Sequence, residues 1–243
     1  MNGKLTEFFG KIKKLSVKIW NCLFPKECLG CGKDDTYCCE SCVSKMKLSA
    51  PNVCFLCNEK CVGQGICGKC VELSVLDAMI VSTNYKNTLA EKLIKHLKYD
   101  FVVELVVPLV GLLKQKIEKM EANELFDRAI LIPVPLHRRR FLSRGFNQAE
   151  IIAKELAAAH YCELKIDIVK MTKSTKKQFG LSREERQKNV AGVFIVVKPE
   201  LVVGKKIIVI DDVLTTGATL AELARALKKC GATKIIGAAI AHE

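Results

Sequence analysis

Two adjacent acidic residues, Asp211 and Asp212, follow the apolar run at residues 207–210 in the stretch IIVIDDVLTTGATL. A turn of small and hydroxyl-bearing residues comes next and opens a predicted helix: Thr215, Thr216, Gly217, Ala218 and Thr219. Backbone amides at a helix N-terminus favour a phosphate, and threonine hydroxyls add hydrogen-bond donors. Carboxylates accept hydrogen bonds from vicinal hydroxyls or hold Mg²⁺. A ribose 5-phosphate carries a diol and a phosphate, so the stretch predicts a site for such a ligand.

A simpler interpretation of the same stretch is that the acidic pair and the threonines only cap a helix, since Asp and Thr are common cap residues. It leaves unexplained why two acids end an apolar strand and are followed at once by three hydroxyl donors and a glycine. The stretch is not a Walker A loop, because the chain contains no GxxxxGK[ST] pattern.

Eleven of the thirteen cysteines precede residue 75, and eight of them form four C-x-x-C pairs: Cys28/Cys31, Cys39/Cys42, Cys54/Cys57 and Cys67/Cys70. Two such pairs complete a tetrahedral metal site, so the spacing predicts two structural zinc ions. An iron–sulfur cluster is the second interpretation. Disulfides are the third, because the cysteine count is odd and no export signal is recognised. Consecutive pairs sharing one metal ion is the simpler arrangement, and an interleaved arrangement stays open. A small shift in register could also make Cys38 or Cys61 a ligand in place of a neighbouring cysteine.

Positive charge dominates the chain of 243 residues, whose formal net charge is +13. Residues 137–188 contain 13 Lys or Arg against 6 Asp or Glu, more than half of this excess. Such a balance indicates a phosphorylated ligand or a polyanionic partner, and says nothing about the fold. A hydrophobic content of 49% excludes an intrinsically disordered chain.

Beyond residue 75 the chain alternates between strand-like and helix-like segments. The pattern predicts strands near 78–84, 128–134, 165–169, 206–211 and 234–240, helices near 87–98, 102–119, 146–160 and 217–230, and a polar, basic loop at 172–188. This alternation predicts an α/β fold with a parallel sheet flanked by helices. Because ligands of such sheets bind beyond the carboxyl ends of the strands, the loops at 135–145 and 211–219 are the candidate binding segments.

The stretch VIDDVLTTGAT resembles the phosphoribosyl pyrophosphate (PRPP) motif of type I phosphoribosyltransferases. Nearly the whole chain is similar to the ComF (competence protein F) family, which joins a double zinc ribbon to a phosphoribosyltransferase domain. The segments that carry this resemblance are LFPKECLGCG (23–32), LIKHLKYD (93–100), PVPLHRRRFLSRGFNQAE (133–150) and TKKQFGLSREERQKNVAGVF (175–194).

The resemblance implies roles for individual residues. It implies that Asp211 and Asp212 are the catalytic pair and that 215–219 hold the 5-phosphate of PRPP. It also implies a pyrophosphate loop and a lid that closes over the substrate. The pyrophosphate loop comprises Pro135, Leu136, His137 and Arg138, near the further arginines Arg139, Arg140 and Arg144, and the lid includes Gln178, Arg183 and Arg186. For the arginine run, a solvated face or a general nucleic-acid patch is the alternative.

Two functions follow from the resemblance. The first is binding of PRPP with Mg²⁺ in a protein linked to DNA uptake or use, with single-stranded DNA and a competence DNA-translocating ATPase as partners. The second is an active phosphoribosyltransferase that uses an unidentified nucleobase or amine acceptor. Aromatic residues, which stack on unpaired bases, make up only 6% of the chain.

The domain organisation predicted from these features has three parts: an amphipathic N-terminal helix (1–24), a double zinc ribbon (25–75) and a phosphoribosyltransferase-like domain (76–243). Lysines interrupt each apolar run of the first 25 residues, and the apolar segment at 101–113 is short and contains Glu104. We therefore expect no transmembrane segment and a cytoplasmic protein. The amphipathic helix is expected to pack on its own protein, and contact with a partner or with the inner membrane face is the alternative.

Overall fold

The computed structural model describes residues 26–49, 53–57, 59–61, 65–86, 88–160, 162–173 and 190–243. The chain divides into two compact units, with the boundary after Lys45. The first unit contains a short helix, α1 (Glu40–Ser44), and an isolated antiparallel bridge between Glu27 and Asp34. The predicted N-terminal helix and the predicted lid residues Gln178, Arg183 and Arg186 lie outside the described residues.

A five-stranded parallel sheet with the order β1-β7-β6-β2-β3 forms the centre of the second unit, and β4 and β5 form a separate antiparallel pair. The strands of the described residues are β1 (Ala78–Asn84), β2 (Ile130–Pro133), β3 (Glu163–Leu164), β4 (Val169–Met171), β5 (Phe194–Val196), β6 (Lys206–Leu214) and β7 (Lys234–His242). The predicted α/β class and parallel sheet are thus confirmed.

Strand β6 lies in the middle of this sheet and carries the acidic pair. All four side chains at 207–210 are fully buried, as expected for a parallel strand that is covered on both faces. The strand continues to Leu214, three residues beyond its predicted end, because its pairing with β7 persists; Asp211 lies opposite Ala239. The acidic pair is therefore held by the hydrogen-bonded sheet itself.

Helices cover both faces of the sheet. In the described part of the second unit they are α2 (Gly68–Val71), α3 (Leu89–Tyr99), α4 (Val106–Lys119), α5 (Arg138–Arg144), α6 (Gln148–His160) and α7 (Ala218–Lys229). Helices α4 and α6 pack against each other and against the sheet, and α7 packs against β5, β6 and β7. Thr88 caps the start of helix α3, because its hydroxyl accepts a hydrogen bond from the Glu91 N–H at 3.3 Å.

The segment with the last two C-x-x-C pairs, Cys54/Cys57 and Cys67/Cys70, is part of the core of this unit. Cys54, Cys61 and Cys67 belong to the same cluster of buried residues as Met79 and Ile207. The Gly65 backbone lies against β1 so closely that a Cβ on this glycine would be 2.1 Å from the Met79 carbonyl oxygen. The second cysteine segment therefore covers the sheet, while the first belongs to the separate unit that ends at Lys45.

Two local expectations from the sequence were wrong. The basic segment 135–145, expected to be a loop, contains helix α5, which begins after His137 and ends at Gly145 with a left-handed φ of 70°. The strand expected at 165–169 is replaced by β3 and β4, with a bend between them. The antiparallel partner of β4 is β5, which the pattern did not predict.

In the ranges that the structure describes, no helix has both the length and the apolar character needed to cross a bilayer.

Candidate functional site

A cleft of about 260 Å³ lies at the carboxyl ends of β2 and β6, the edge of the sheet at which ligands of parallel sheets bind. Its walls come from the end of β6, the turn before α7, the segment after β2, and the last residues of α3. The polar and charged residues that line it are Tyr85, Lys98, Arg140, Arg144, Asp211, Asp212, Thr215, Thr219 and Glu243. The cleft thus contains both an acidic and a basic wall.

The acidic wall consists of Asp211 and Asp212. Lys98 of helix α3 forms an ion pair with it. Lys98 Nζ lies 2.8 Å from Asp212 Oδ1, with both side chains largely buried. Burial opposes the charge on Lys98, but the nearby Asp212 and Asp211 carboxylates outweigh it and raise the pKa of Lys98. Burial and the neighbouring Asp212 carboxylate raise the pKa of Asp211 to about 7, although Lys98 acts against this. Within the acidic wall, Lys98 and Arg140 therefore offset only part of the repulsion and burial that disfavour the charge on Asp211.

The turn after β6 gives its backbone to the same cleft. Gly217 has a left-handed φ of 74° and precedes the first residue of α7. Thr215, Gly217 and Thr219 line the cleft, whereas Thr216 faces a second cavity behind the turn and Ala218 is buried there. The carbonyl oxygen of Thr215 lies 3.2 Å from His242 Nε2. Three of the five residues predicted for phosphate binding are thus on the cleft side of the turn.

The basic wall comes from the segment after β2 and from α5. Pro135, Leu136, Arg140 and Arg144 line the cleft. His137 instead begins α5, where its Nδ1 accepts a hydrogen bond from the Arg139 N–H at 3.2 Å. Arg138 is exposed outside the cleft. Of the four residues predicted as a pyrophosphate loop, the structure brings two to the cleft.

Arg144 is oriented by its neighbours on both sides. Its Nη1 donates to Gln148 Oε1 at 3.0 Å, and its guanidinium lies 5.6 Å from the centroid of the Tyr99 ring. Asn147 fixes the start of α6 because its side chain donates to the Val134 carbonyl oxygen at 3.0 Å and accepts from the Ala149 N–H. The motif RGFNQAE therefore links the end of β2 to the basic wall.

Three cleft residues, Tyr85, Lys98 and Glu243, were missed by the reasoning from sequence. Lys98 had a readable signal, because it follows the buried positions Ile94 and Leu97 on an amphipathic helix. A lysine at the edge of a buried helix face needs a negatively charged partner, and Asp211 and Asp212 are candidates for that partner in the sequence. Tyr85 and Glu243 had no such signal, since they reach the cleft only because they follow the carboxyl ends of β1 and β7 in the assembled sheet.

The structure forms two groups of four cysteines outside this cleft, Cys28, Cys31, Cys39 and Cys42 in the first unit and Cys54, Cys57, Cys67 and Cys70 in the second. Within each group all four sulfur atoms lie within 4.8 Å of one another, so consecutive knuckles pair, while Cys38 and Cys61 stay outside. The Cys31–Cys39 and Cys57–Cys67 sulfur distances are 3.7 Å and 3.6 Å. Tetrahedral zinc, with Zn–S bonds of about 2.3 Å, separates its sulfurs by about 3.8 Å. Both groups have the composition and spacing of structural zinc sites.

The ionisation of the cysteine thiols in these groups also favours a bound cation. Burial opposes ionisation of Cys28 and Cys54, but backbone N–H groups that donate to their sulfurs lower both pKa values to about 6. Hydrogen bonds with neighbouring cysteine sulfurs raise the pKa of Cys42 and of Cys70 to about 12. Four clustered thiols therefore do not all ionise without a positive ion among them.

Known sequences match this architecture. The family described as "Phosphoribosyl transferase domain" matches residues 141–243. DNA utilization protein YhgH of Escherichia coli is 31% identical over 173 residues, which cover 70% of this chain and 74% of that protein. Competence protein F of Haemophilus influenzae is 30% identical over 172 residues, with coverage of 70% and 75%. The chain belongs to the ComF family. Competence protein ComFC of Bacillus subtilis is 27% identical over 206 residues, with coverage of 82% and 81%.

The matched domain covers only part of the cleft of this ComF-family protein. It begins inside α5 and includes Arg144, the acidic pair and the turn at 215–219. It omits Lys98, Arg140 and both groups of cysteines. The complete cleft therefore depends on α3 and on the start of α5, which lie before the matched domain.

Proposed function

We propose that this ComF-family protein binds PRPP, or a related ribose phosphate, together with Mg²⁺ in the cleft. One observation carries the proposal: two carboxylates, three residues of the turn before α7 and two arginines line a single cavity. A ligand that suits all three must combine hydroxyls or a metal with at least one phosphate. An uncharged sugar offers no phosphate oxygens to the arginines, and a simple phosphate offers neither hydroxyls nor a metal ion to the carboxylates.

In this proposal each wall binds one part of the ligand. Asp211 and Asp212 accept hydrogen bonds from the ribose hydroxyls and hold Mg²⁺, since carboxylate oxygens are its usual protein ligands. The turn around Gly217 holds the 5-phosphate through its backbone amides and through the hydroxyls of Thr215 and Thr219. Arg140 and Arg144 hold the pyrophosphate, because a guanidinium pairs with phosphate oxygens through two parallel hydrogen bonds.

The same arrangement suits transfer of the phosphoribosyl group, which breaks the bond between C1 and pyrophosphate through an oxocarbenium-like state. The carboxylates of Asp211 and Asp212 stabilise the positive charge that develops on the ribose, and the arginines stabilise the departing pyrophosphate. Bound Mg²⁺ supplies further charge neutralisation. A nucleobase or amine acceptor makes the chain an active phosphoribosyltransferase, which is the alternative to a protein that only binds the ligand.

Isothermal titration tests the proposed ligand. We expect PRPP with Mg²⁺ to bind with a Kd in the micromolar range, and either ribose 5-phosphate or pyrophosphate alone to bind more weakly, because each fills one end of the cleft. Arg144→Ala should weaken pyrophosphate more than ribose 5-phosphate. Failure of the wild-type protein to bind PRPP at millimolar concentration contradicts the proposal. Release of pyrophosphate on addition of candidate acceptors tests for transfer.

A second function, contact with single-stranded DNA in DNA uptake or use, is favoured by the surface beside the basic wall. Tyr99, Phe101 and Phe141 are 63%, 49% and 45% exposed. Arg138 and Arg139 are exposed on α5, and Phe141 shares a helical face with Arg144, which contacts Tyr99. Exposed aromatic rings among arginines are the usual means of binding unpaired bases and their phosphates. The names of the relatives, which refer to competence and DNA utilization, support the same direction.

We expect the affinity for a single-stranded oligonucleotide to fall steeply with salt concentration, because phosphate contacts release counterions. Arg138→Gln with Arg139→Gln should reduce the salt slope by about one to two units, and Phe141→Ala should weaken binding by about tenfold with the slope unchanged. Lys229→Gln, an exposed charge on α7, is the control. Fluorescence anisotropy measures each case. An affinity that does not change with salt argues against DNA binding. It then also argues against a DNA-translocating ATPase as a partner that delivers single-stranded DNA to this protein.

The two groups of cysteines are proposed to bind structural zinc. Four thiolates fill the coordination sphere and leave no open position for a substrate, so neither ion takes part in chemistry. Plasma emission spectrometry of the purified protein should give about two zinc ions per chain and no iron. Cys42→Ser should lower this to about one, because each site depends on all four ligands. An iron content near that of zinc supports the iron–sulfur interpretation instead.

A further inference from the structure

The second group of cysteines reaches the turn that faces the cleft. A Cβ built on Gly217 would lie 3.0 Å from Cε2 of Phe55 and 3.5 Å from its Cδ2. The Phe55 ring therefore packs directly on the backbone of Gly217, behind the surface that lines the cleft. Phe55, Thr216 and Gly217 also line one cavity of about 370 Å³ together with Cys70.

The chain around Phe55 is held by the cysteine knuckle itself. Phe55 lies between Cys54 and Cys57, which both belong to the second group of four cysteines. Its N–H donates to the Gly65 carbonyl oxygen at 3.0 Å, and Gly65 is packed against the backbone of β1. Cys54 is fully buried. Phe55 is therefore placed by the metal site on one side and by the sheet on the other.

The turn at 215–217 is thus supported from two directions behind the cleft. Phe55 packs on Gly217, and His242 at the end of β7 lies 3.2 Å from the Thr215 carbonyl oxygen. Gly217 has a left-handed conformation and starts α7, and backbone N–H groups at a helix N-terminus favour a phosphate. Loss of the ring behind Gly217 leaves space into which the turn can move, and small displacements of such donors weaken phosphate binding.

We propose that Phe55 is a positioning residue that couples the second group of cysteines to the phosphate-binding turn. The inference rests on the proposed binding of a ribose phosphate in the cleft. The metal ion fixes the knuckle, the knuckle fixes Phe55, and Phe55 holds Gly217 where its turn meets the 5-phosphate. By thermodynamic reciprocity, a ligand that orders the turn also strengthens retention of the metal ion in this group, and not in the first.

The first test compares Phe55→Ala and Phe55→Leu with wild type in titrations of the full chain. We expect Phe55→Ala to lower the affinity for ribose 5-phosphate by about tenfold and to leave that for inorganic pyrophosphate unchanged, because the arginines lie on the other wall. Phe55→Leu, which fills most of the space, should recover most of the loss. An equal loss for both ligands, or no loss for either, overturns the coupling. If wild type does not bind ribose 5-phosphate, the proposed function fails as well.

The second test follows zinc release to a chromogenic chelator, which is independent of activity. In wild type, saturating ribose 5-phosphate should slow the release of one of the two zinc equivalents by about tenfold. In Phe55→Ala the same ligand, at a concentration that restores saturation, should have no effect on either. Cys42→Ser, which removes the first site, should retain the ligand effect on its remaining ion. Equal slowing in wild type and Phe55→Ala overturns the coupling.

Discussion

At pH 8, Asp211→Asn should raise the melting temperature of the unliganded protein by about 3–6 °C, or about 1.5 kcal/mol for a chain of this size. The same change should lower the affinity for PRPP with Mg²⁺ by about a hundredfold, because a charged acceptor is lost. The carboxylate of Asp211 is half-buried beside that of Asp212, and its raised pKa of about 7 shows that Lys98 and Arg140 offset only part of the unfavourable charge. Binding residues that are unfavourable without their ligand commonly show this trade between stability and function.

The sign of the pH dependence follows from the same carboxyl group. The pKa of Asp211 in the folded protein, about 7, lies above its ordinary value of 3.8. The folded chain therefore retains a proton that the unfolded chain loses, and the contribution of Asp211 to stability falls as the pH rises between these two values. The stabilisation by Asp211→Asn should be full above pH 7 and should disappear near pH 4.

Asp212→Asn should have the opposite effect on stability, although the two residues are adjacent. Asp212 is the ion-pair partner of Lys98, with both side chains largely buried. Its neutralisation leaves the lysine charge without its nearest counterion, at a cost of about 2–5 kcal/mol. Asp212→Asn should therefore lower the melting temperature at pH 8 while it also weakens PRPP binding.

Thermal melts at pH 4, 6 and 8, combined with titration of PRPP, check both variants. Asp127→Asn, an exposed aspartate that precedes β2 and lies away from the cleft, is the matched control and should change neither quantity. Destabilisation by Asp211→Asn at pH 8 contradicts the unfavourable burial of this carboxylate. Stabilisation by both variants contradicts the role of Lys98 as the partner of Asp212.

Much of the fold could be predicted because its signals are local. The apolar run of β6 is long and β-branched, and its four residues at 207–210 are buried on both faces of the sheet as the run predicts. The cysteine groups could be predicted because the ligand spacing is itself a geometric constraint. The turn that opens α7 could be predicted because it contains Gly217, whose left-handed φ of 74° suits a residue without a side chain.

The remaining features depend on contacts between distant segments. The sequence predicts a loop at helix α5 because its arginines have no apolar periodicity, and in the structure none of its residues is buried. Lys98 lies more than a hundred residues from Asp212 in the sequence, so only the pairing of α3 with the sheet brings them together. Phe55 and Gly217 are also far apart in the sequence and meet only in the folded protein. Their contact packs the segment of the second cysteine group against the turn that follows β6.

Gly65→Ala should be among the most destabilising single changes in the second unit. A Cβ at this position would lie 2.1 Å from the Met79 carbonyl oxygen and 3.1 Å from the Met79 carbonyl carbon, and Gly65 has a φ of +79°. The contacted atoms belong to the backbone of β1, so no side chain can move aside. The cysteine knuckle must separate from the sheet, at a cost of about 3 kcal/mol or more, which corresponds to about 6–12 °C in Tm.

Gly204→Ala separates the clash from the backbone conformation in this experiment. Gly204 also has a positive φ, +71°, but an added Cβ meets nothing within 4 Å. Its substitution should cost only about 1–2 kcal/mol, the penalty of a left-handed conformation for a residue with a side chain. A similar loss of stability in both variants contradicts tight docking of the knuckle on β1.

The ligand affinity of Gly65→Ala connects this packing to the cleft. If the knuckle moves off β1, Phe55 moves with it, because the Phe55 N–H is bonded to the Gly65 carbonyl oxygen. We therefore expect Gly65→Ala to weaken ribose 5-phosphate binding at a temperature at which the protein is still folded, whereas Gly204→Ala leaves it unchanged. Unchanged ribose 5-phosphate binding in a destabilised Gly65→Ala protein means that the turn at Gly217 keeps its shape without the knuckle. The cysteine segment then acts only as a cover for the sheet.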